Sequence, residues 1–251
     1  MTNLVTSVDQ FAELVRTAIA SNQALTICGG GTRPFPGDSK ASIELHMSGY
    51  AGVVDYRPEE LVVRARSGTR LTDLKTLLGA EGQMLVSDPP VHGKTSTIGG
   101  LIATGVSGSR RPYAGAIRDA VLGVSLLLQD ATQAEFGGQV MKNVAGYDVS
   151  RLVCGSFGML GPILDDSLKV APKPEMEGSV SLECSPMRAK EIIEKLTRRV
   201  SGISASCYLE GQLRLRFSGS ETAVTKEISG QGGESIGNGF WAELDNQTLA
   251  S

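Results

Sequence analysis

The sequence predicts an α+β fold in two parts, and three observations support that prediction. Apolar runs of strand length alternate with amphipathic helices through the first part of the chain. Clusters of glycine interrupt this alternation at three places, where the backbone must turn sharply or approach another group closely. Pro172 and Pro174 then end the pattern. We therefore predict one domain over residues 1–171 and a second, smaller domain over residues 172–251.

The first domain begins with an amphipathic helix. Ser7 precedes it as an N-cap, and Gln10 follows three residues later, as in a capping box. The apolar face of this helix is predicted from residues at helical spacing, namely Val8, Phe11, Leu14, Val15, Ala18 and Ile19. Strands are predicted at residues 24–28, 43–47, 53–56, 61–65, 121–128 and 164–170, and a second helix at residues 71–78, ending at Gly82.

The second domain is predicted to combine a helix with a short sheet. Ser185 and Pro186 have the N-cap and first-turn chemistry of a helix, which we expect to end at Gly202. The strands predicted here cover residues 178–184, 203–209 and 212–217, the last two joined through Glu210-Gly211 as a hairpin. Strand, helix and hairpin are a fragment of a ferredoxin-like unit, and residues 230–239 offer little to complete its sheet.

The composition is that of a globular protein. The 251 residues are 41% hydrophobic with a formal net charge of −3, so they can bury a sizeable core and lack the basic excess of nucleic-acid binding. The longest apolar run, residues 121–128, is too short to span a bilayer, and no N-terminal signal region is present, so we expect a cytoplasmic protein. Cys28, Cys154, Cys184 and Cys207 are scattered without a Cys-x-x-Cys pair, so we predict no metal site and no disulfide framework.

The three glycine clusters are the candidate ligand-binding segments. They are Gly29-Gly30-Gly31-Thr32 after a predicted strand, Thr97-Ile98-Gly99-Gly100 before a run of small residues, and residues 137–161, which contain Asn143, Gly146, Tyr147, Asp148, Gly155, Gly158 and Gly161. Glycine lets backbone amides approach a ligand, and such turns form concavities for phosphate. Each cluster alone is more typical of a plain turn than of a ligand site. Three of them in order favour a nucleotide cofactor.

Two common nucleotide motifs do not fit. Gly93-Lys94-Thr95 has the end of a P-loop, but it lacks the upstream glycine and follows Pro89-Pro90 instead of a strand. A Rossmann fingerprint starting at Gly29 would need its third glycine at the position of Pro34. The sequence therefore argues against a nicotinamide-binding fold.

The order of the segments resembles the flavin-binding domain of the vanillyl-alcohol oxidase and para-cresol methylhydroxylase (PCMH) type. Within that type, the chain is similar to the flavin-binding subunits of bacterial glycolate oxidases. The most specific segment is Gly-Gly-x-Val-Met-Lys-Asn-Val-Ala-Gly-Tyr-Asp at residues 137–148. The other resembling segments are residues 27–32, 82–85 with 88–90, 98–101, 108–113 and 118–123. The resemblance implies two α/β subdomains followed by a ferredoxin-like cap, which we expect to be incomplete, as a short natural form or an early end of the reading frame.

FAD is the cofactor that the resemblance implies. Geometry assigns the pyrophosphate to the backbone of Gly29, Gly30, Gly31 and Thr32, with the Thr32 hydroxyl as a donor. By resemblance, the remaining contacts come from Pro89, Thr97, Gly99, Gly100 and Gly105, from Gly146, Tyr147 and Asp148 on the other side, and from the backbone of Ile163 at the adenine half. Asp148 is also compatible with an ordinary helix N-cap. The first loop has no histidine and Cys28 belongs to the strand before it, so we expect non-covalent binding.

The resemblance further implies an oxidoreductase subunit of a glycolate dehydrogenase complex. It would oxidise glycolate or D-lactate to the 2-oxo acid, pass electrons between a catalytic flavin subunit and an iron–sulfur subunit, and reach the inner membrane through these partners. No catalytic residue is identified: His46 lies in a predicted strand, and only the loop residue His92 is a candidate base. Arg110, Arg111 and Arg118 are candidates for anion contact or subunit docking. Two alternatives stay open, a structural subunit without a redox role and a stand-alone FAD-dependent 2-hydroxy-acid oxidase.

Overall fold

The computed structural model describes residues 5–33, 43–138 and 147–249. The chain divides into two compact units. The first comprises Met1–Val86, Val91–Val106 and Ala116–Pro172, and the second Ser87–Pro90, Ser107–Gly115 and Lys173–Ser251. The second unit is thus assembled from three stretches of chain. No element pattern in the sequence separates its two short stretches from the first unit.

The helices and strands follow in chain order. The helices are α1 (Val8–Ala20), α2 (Leu71–Ala80), α3 (Ile98–Thr104), α4 (Arg111–Ala114), α5 (Ile117–Ala120), α6 (Val149–Val153), α7 (Pro186–Thr197), α8 (Glu221–Gln231) and α9 (Gly239–Asn246), with 3₁₀ turns at Met47–Gly49 and Pro58–Glu60. The strands are β1 (Leu25–Cys28), β2 (Ile43–His46), β3 (Val53–Arg57), β4 (Val62–Arg66), β5 (Gln83–Leu85), β6 (Val121–Leu127), β7 (Gln133–Gly137), β8 (Ile163–Pro172), β9 (Met176–Glu183), β10 (Ile203–Leu209), β11 (Gln212–Gly219) and β12 (Glu234–Ile236). No helix among these residues is long and apolar enough to cross a membrane.

The first helix begins where the sequence predicts. The Ser7 hydroxyl accepts a hydrogen bond from the Gln10 amide at 3.4 Å. The Gln10 side chain, however, accepts from the amide of Thr6 at 2.9 Å, so the reciprocal half of the predicted capping box is displaced by one residue. Phe11 is fully buried and meets Tyr50 edge to face. Ile19 was predicted to belong to the apolar face, but it is 51% exposed, because the last turn of α1 extends past the core.

The first unit contains two sheets. Strands β1 and β2 form a parallel pair. The larger sheet has six strands in the order β3-β4-β8-β6-β7, with β5 also paired to β8. All of its pairings are antiparallel. Helices α2 and α3 bury Leu74, Leu78 and Leu101 against this sheet. The strands β5 and β7 were not predicted, because β5 has three residues and β7 is a largely exposed edge strand with few apolar residues.

The second unit contains a ferredoxin-like arrangement. Its elements run β9-α7-β10-β11-α8-β12, and its strands lie in the order β10-β11-β9-β12 with antiparallel pairing throughout. Ser185 caps α7 as predicted, but the helix ends at Thr197, before Gly202. Residues 230–239 were expected to add little, yet they contain β12, which pairs with β9. The expected gap in the sheet is therefore wrong, since β12 completes the four-stranded order despite its polar, exposed residues.

Candidate functional site

Two glycine loops of the first unit lie directly against each other. The Thr95 hydroxyl donates to the carbonyl oxygen of Gly30 at 2.7 Å. A Cβ atom on Gly30 would collide with the carbonyl of Thr95, and one on Gly29 would lie 2.8 Å from Oγ1 of Thr97. Only glycine at these two positions allows the loops to approach this closely.

The start of α3 closes the second loop. Thr97 is its N-cap, and the Thr97 hydroxyl accepts from the Gly100 amide at 3.2 Å. The amides of Ile98 and Gly99 donate to the carbonyl oxygens of Thr69 and Ser67, at 2.9 and 2.8 Å. These three amides therefore already have protein acceptors. Gly99 and Gly100 therefore matter because they lack a side chain, and their amides are not available as donors to a ligand. A Cβ on Gly99 would lie only 2.6 Å from the Cβ of Ser67.

A small cavity of about 70 Å³ opens between these loops and the glycine turn after α6. It is lined by Ile27, Gly29, Met47, Ser67, Thr97, Gly99, Gly100, Ala103, Phe157, Gly158, Gly161 and Ile163. The Ser67 side chain is buried, and its Oγ atom has no hydrogen-bond partner among the described residues. A buried hydroxyl without a partner is unfavourable, so Ser67 is placed to bind a ligand's polar group.

The structure brings together part of the predicted site. Gly29, Thr97, Gly99, Gly100 and Ile163 all line the cavity. Gly30, Gly31 and Thr32 continue the first loop beyond it, and no described hydrogen bond uses their amides as donors. Gly31 has φ of +67° and open space where a side chain would be. Within the part of the chain that the structure describes, the first loop therefore offers amides without acceptors next to the cavity, as a phosphate site requires.

The other predicted residues lie elsewhere or have structural roles. Gly105 ends α3 in the left-handed conformation and packs against Gly155. Asp148 is the N-cap of α6, accepting from the Arg151 amide at 3.1 Å, which is the alternative that the sequence left open. Tyr147 is 95% exposed. Pro89 belongs to the second unit. Gly146 lies outside the described residues. Their contacts with a cofactor remain predictions.

Sequence reasoning missed several residues of the cavity. Ser67 follows strand β4 in an Arg-Ser-Gly turn that has no cofactor-specific spacing. Met47 and Ile27 supply apolar surface and are indistinguishable in sequence from core residues. Gly158 and Gly161 belong to the glycine-rich segment that the sequence singled out, but they were not among its assigned site residues. A polar residue directly after a strand that ends near a glycine loop is the signal that would have identified Ser67.

None of the candidate catalytic and anion-binding residues lines the cavity. Nε2 of His46 donates a hydrogen bond to the Glu44 carboxylate at 2.9 Å, which fits a structural histidine. His92 lies in the loop before Gly93 and is partly buried. Arg110 contacts Glu177 and Ser218 within the second unit, so its charge is already paired. Residues 111 and 118, both arginines, are exposed.

A buried acid and a thiol lie in the main core of the first unit. Asp166 is fully buried, neither of its oxygens has a partner among the described residues, and burial raises its pKa to about 8. Burial, with the nearby charge of Asp166, raises the pKa of Cys154 to about 11. Both groups are therefore protonated at neutral pH. Cys154 is therefore not activated as a thiolate nucleophile there.

Comparison with known proteins identifies the family to which this chain belongs. The family model of the FAD binding domain matches residues 2–137. Glycolate oxidase subunit GlcE of Escherichia coli is 39% identical over 237 residues, covering 94% of this chain and 68% of the relative. Glycolate oxidase subunit GlcD of Bacillus subtilis is 31% identical and covers 70% of this chain, and D-lactate dehydrogenase of Anaerostipes hadrus is 30% identical and covers 68%. The chain spans 35% and 36% of the lengths of these two relatives.

Solved structures agree on the fold. Alkyldihydroxyacetonephosphate synthase superposes with a TM-score of 0.74 at 17% sequence identity. The match covers 97% of this chain and 53% of the synthase. Identity this low shows the shared architecture alone.

Proposed function

The chain belongs to the family of FAD binding domains, and from this premise we propose that it is the FAD-binding subunit of a glycolate dehydrogenase complex. The observation that carries the proposal is the glycine-lined cavity of the first unit. Most of its lining lies within residues 2–137, the part that the family model matches. The 39% identity to GlcE over nearly the whole chain supports the choice of complex.

The residues present fit FAD. The amides of residues 30–32 have no acceptor among the described residues, and successive free amides in a turn suit a pyrophosphate. The orphan hydroxyl of Ser67 supplies a further donor inside the cavity. Gly29 and Gly99 let the segments that line the cavity pack closely, because a side chain at either position would collide with Thr97 or Ser67. The described residues that line the cavity include no histidine or cysteine, which supports non-covalent binding.

Each part of the cavity has a role in holding the cofactor. We assign the diphosphate of FAD to the first loop. The cofactor hydroxyls next to the diphosphate are assigned to Thr97 and Ser67. The apolar side chains of Ile27, Met47 and Phe157 exclude water from the cavity. FAD, when bound, supplies hydride and single-electron transfer. The protein's contribution is therefore binding, orientation and exclusion of solvent.

Electron transfer requires other subunits. The four cysteines of the chain are divided between its two units, and the described residues contain no group of cysteines able to ligate an iron–sulfur cluster. We propose a catalytic flavin subunit of the GlcD type and an iron–sulfur subunit of the GlcF type as partners. The names of GlcE and GlcD support such an assembly. All four cysteines are free thiols, which fits a cytoplasmic complex that reaches the inner membrane through its partners.

The substrate assignment follows the relatives. GlcE and GlcD are named for glycolate oxidase, and another relative for D-lactate dehydrogenase. We propose that the complex oxidises glycolate, and also D-lactate, to the corresponding 2-oxo acid. Neither histidine of this chain lines the cavity, so the base that removes the substrate proton is assigned to the catalytic partner.

The visible absorption spectrum of the purified chain tests cofactor binding. We expect a flavin spectrum that appears in the supernatant after acid precipitation, since the binding is non-covalent. A colourless chain that stays colourless after incubation with FAD would instead indicate a structural subunit. Flavin that stays with the precipitate would contradict non-covalent binding.

Turnover with an artificial dye acceptor tests the division of labour. We expect no oxidation of glycolate by the isolated chain and full activity after both partners are added. Oxidation by the isolated, flavin-loaded chain would show a stand-alone oxidase and contradict the proposed subunit role.

A further inference from the structure

The parallel strand pair β1–β2 carries a group of three different metal-ligating side chains. Cys28 and His46 are register partners on the two strands, and Glu44 lies two residues before His46, on the same face. The ligand atoms of these three residues lie within 4.8 Å of one another, and no other group of three histidine, cysteine or acidic residues among the described residues meets this criterion. From this geometry, we propose that Cys28, Glu44 and His46 bind a divalent d-block cation of the zinc type.

The donor set selects the class of cation. A thiol sulfur, an imidazole nitrogen and a carboxylate oxygen are the three ligand types that Zn²⁺ uses, whereas Mg²⁺ and Ca²⁺ prefer oxygen alone. Bond lengths of about 2.0–2.3 Å in a tetrahedral site separate the ligand atoms by roughly 3.4–3.8 Å. The spacing within the group needs only small side-chain rotations to reach that range. Three protein ligands leave a fourth position for water or an added ligand.

The surroundings allow the ion to enter. The Glu44 side chain is 62% exposed, so it can rotate from its 2.9 Å contact with Nε2 of His46 to a metal. The Cys28 and His46 side chains are partly buried and anchored on paired strands, which fixes two of the ligands before binding. The sequence predicted no metal site because it lacks a Cys-x-x-Cys pair. Here the ligands come instead from two adjacent strands, and their proximity depends on the register.

The site is independent of the proposed flavin function. None of its three side chains lines the cavity, although Cys28 precedes Gly29 and His46 precedes Met47 in the chain. The metal titration is therefore made on the full chain after removal of metal by a chelator, first without flavin and then with saturating FAD. Failure to bind FAD would leave the metal measurement interpretable.

Cobalt substitution and zinc competition test the site. With wild-type chain, we expect one equivalent of Co²⁺ to give a thiolate-to-cobalt charge-transfer band, and Zn²⁺ to displace it. Zinc affinity, measured by competition with a chromophoric chelator, should fall by at least about 100-fold in Cys28→Ser and His46→Asn, because a direct ligand is lost. Cys184→Ser is the matched control, since Cys184 is a partly buried free cysteine outside the group, and it should bind as wild type does.

Three outcomes would overturn the proposal. They are the absence of a thiolate–cobalt band in wild type, a band that persists in Cys28→Ser, and unchanged zinc affinity in both ligand variants. Thermal melting of the metal-free variants checks that each folds. If Cys28→Ser does not fold, Glu44→Gln carries the test, because this exposed side chain can be replaced without disturbing the strands and should also weaken zinc binding.

Discussion

The hydroxyl of Ser67 in the cavity is placed for ligand binding and not for folding. Ser67 is buried and its Oγ atom has no partner among the described residues, so it contributes nothing to the fold that alanine would not. A residue of this kind is informative because its polar atom has no partner among the described residues and the residue also lines a cavity. Ser96 offers a direct comparison, since its Oγ is equally buried and unpartnered but does not line the cavity.

Ser67→Ala should therefore weaken FAD binding while leaving the free energy of unfolding of the flavin-free chain unchanged or slightly higher. Loss of one hydrogen bond to the ligand predicts a rise in Kd of about tenfold. Flavin fluorescence titration measures the affinity, and urea unfolding measures the stability. Ser96→Ala should keep wild-type affinity. Equal affinity in Ser67→Ala and wild type would remove Ser67 from the site.

Asp166 lowers the free energy of unfolding of the chain as pH rises. Burial raises the pKa of its folded carboxyl from 3.8 to about 8. The unfolded carboxyl loses its proton near its ordinary value, so between these two pH values the folded state binds more protons than the unfolded state. The contribution of Asp166 to the free energy of unfolding is thus largest below the lower value and falls as pH rises to about 8.

Asp166→Asn should abolish that fall and stabilise the chain at pH 8 by a few kcal/mol, since a neutral amide replaces an acid that must stay protonated. Urea unfolding of both proteins at a series of pH values measures the difference. Asp130→Asn is the control, because Asp130 is exposed and its hydrogen bonds with Thr132 lower its pKa. If the difference in stability between Asp166→Asn and wild type did not grow with pH, Asp166 would have a partner in solution.

At the scale of elements, the contact between the two glycine loops determines the shape of the cavity. Gly30 has no room for a side chain, because a Cβ would collide with the Thr95 carbonyl, whereas Gly31 has open space but positive φ. Gly30→Ala should cost about 3 kcal/mol of stability through overpacking. Gly31→Ala should cost only about 1 kcal/mol, through backbone strain.

Flavin retention provides the second measurement on this pair of variants. Gly30→Ala must separate the loops, so we expect it to release FAD during gel filtration. Gly31→Ala keeps the loop contact and should retain more of the cofactor. If urea unfolding and flavin retention were the same for both variants, close approach of the loops would not be the reason for glycine at position 30.

Elements with strong local signals were predictable, and those stabilised by tertiary contacts were not. The Ser185 cap, followed by Pro186, predicted the start of α7, and Glu210-Gly211 predicted the hairpin whose two turn residues have positive φ. In contrast, α8 buries only Val224 fully, and β12 is polar and short. Their place depends on β9, where Gly178 leaves the room that Ile228 fills. Such a contact joins distant positions and leaves no periodic pattern in the sequence.

Residues of the site also divide into those with a local sequence signal and those placed by tertiary contacts. Glycine loops have a compositional signature, so Gly29, Gly99 and Gly100 were identified from the sequence and lie at the cavity. The partners of those loops depend on which strands become neighbours. For that reason Ser67 was missed, and Cys28 could not be associated with its register partner on β2.

At the scale of the whole molecule, a buried polar network joins the three stretches of the second unit. Arg216 is 4% exposed and lies 3.8 Å from Asp88 and 4.0 Å from Glu177. Its guanidinium also donates to Ser109 at 3.4 Å. Asp245 accepts from the amide and hydroxyl of Ser109 at 2.9 and 3.1 Å. The network thus connects Ser87–Pro90 and Ser107–Gly115 to the chain after Lys173.

Arg216→Ala should therefore destabilise the chain by about 1.5–3 kcal/mol, because it removes the buried cation whose hydrogen bonds and ion pairs join the three stretches. Arg188→Ala is the matched control within the same unit: both side chains of its pair with Glu191 are exposed, so the change should cost no more than about 1 kcal/mol. Limited proteolysis followed by mass spectrometry locates the effect, with new cleavage expected in residues 87–90 and 107–115 of the Arg216 variant. Because those segments flank α3 in sequence, loss of the network should also lower flavin retention. Cleavage confined to the chain after Lys173 would mean that the two short segments are held by other contacts.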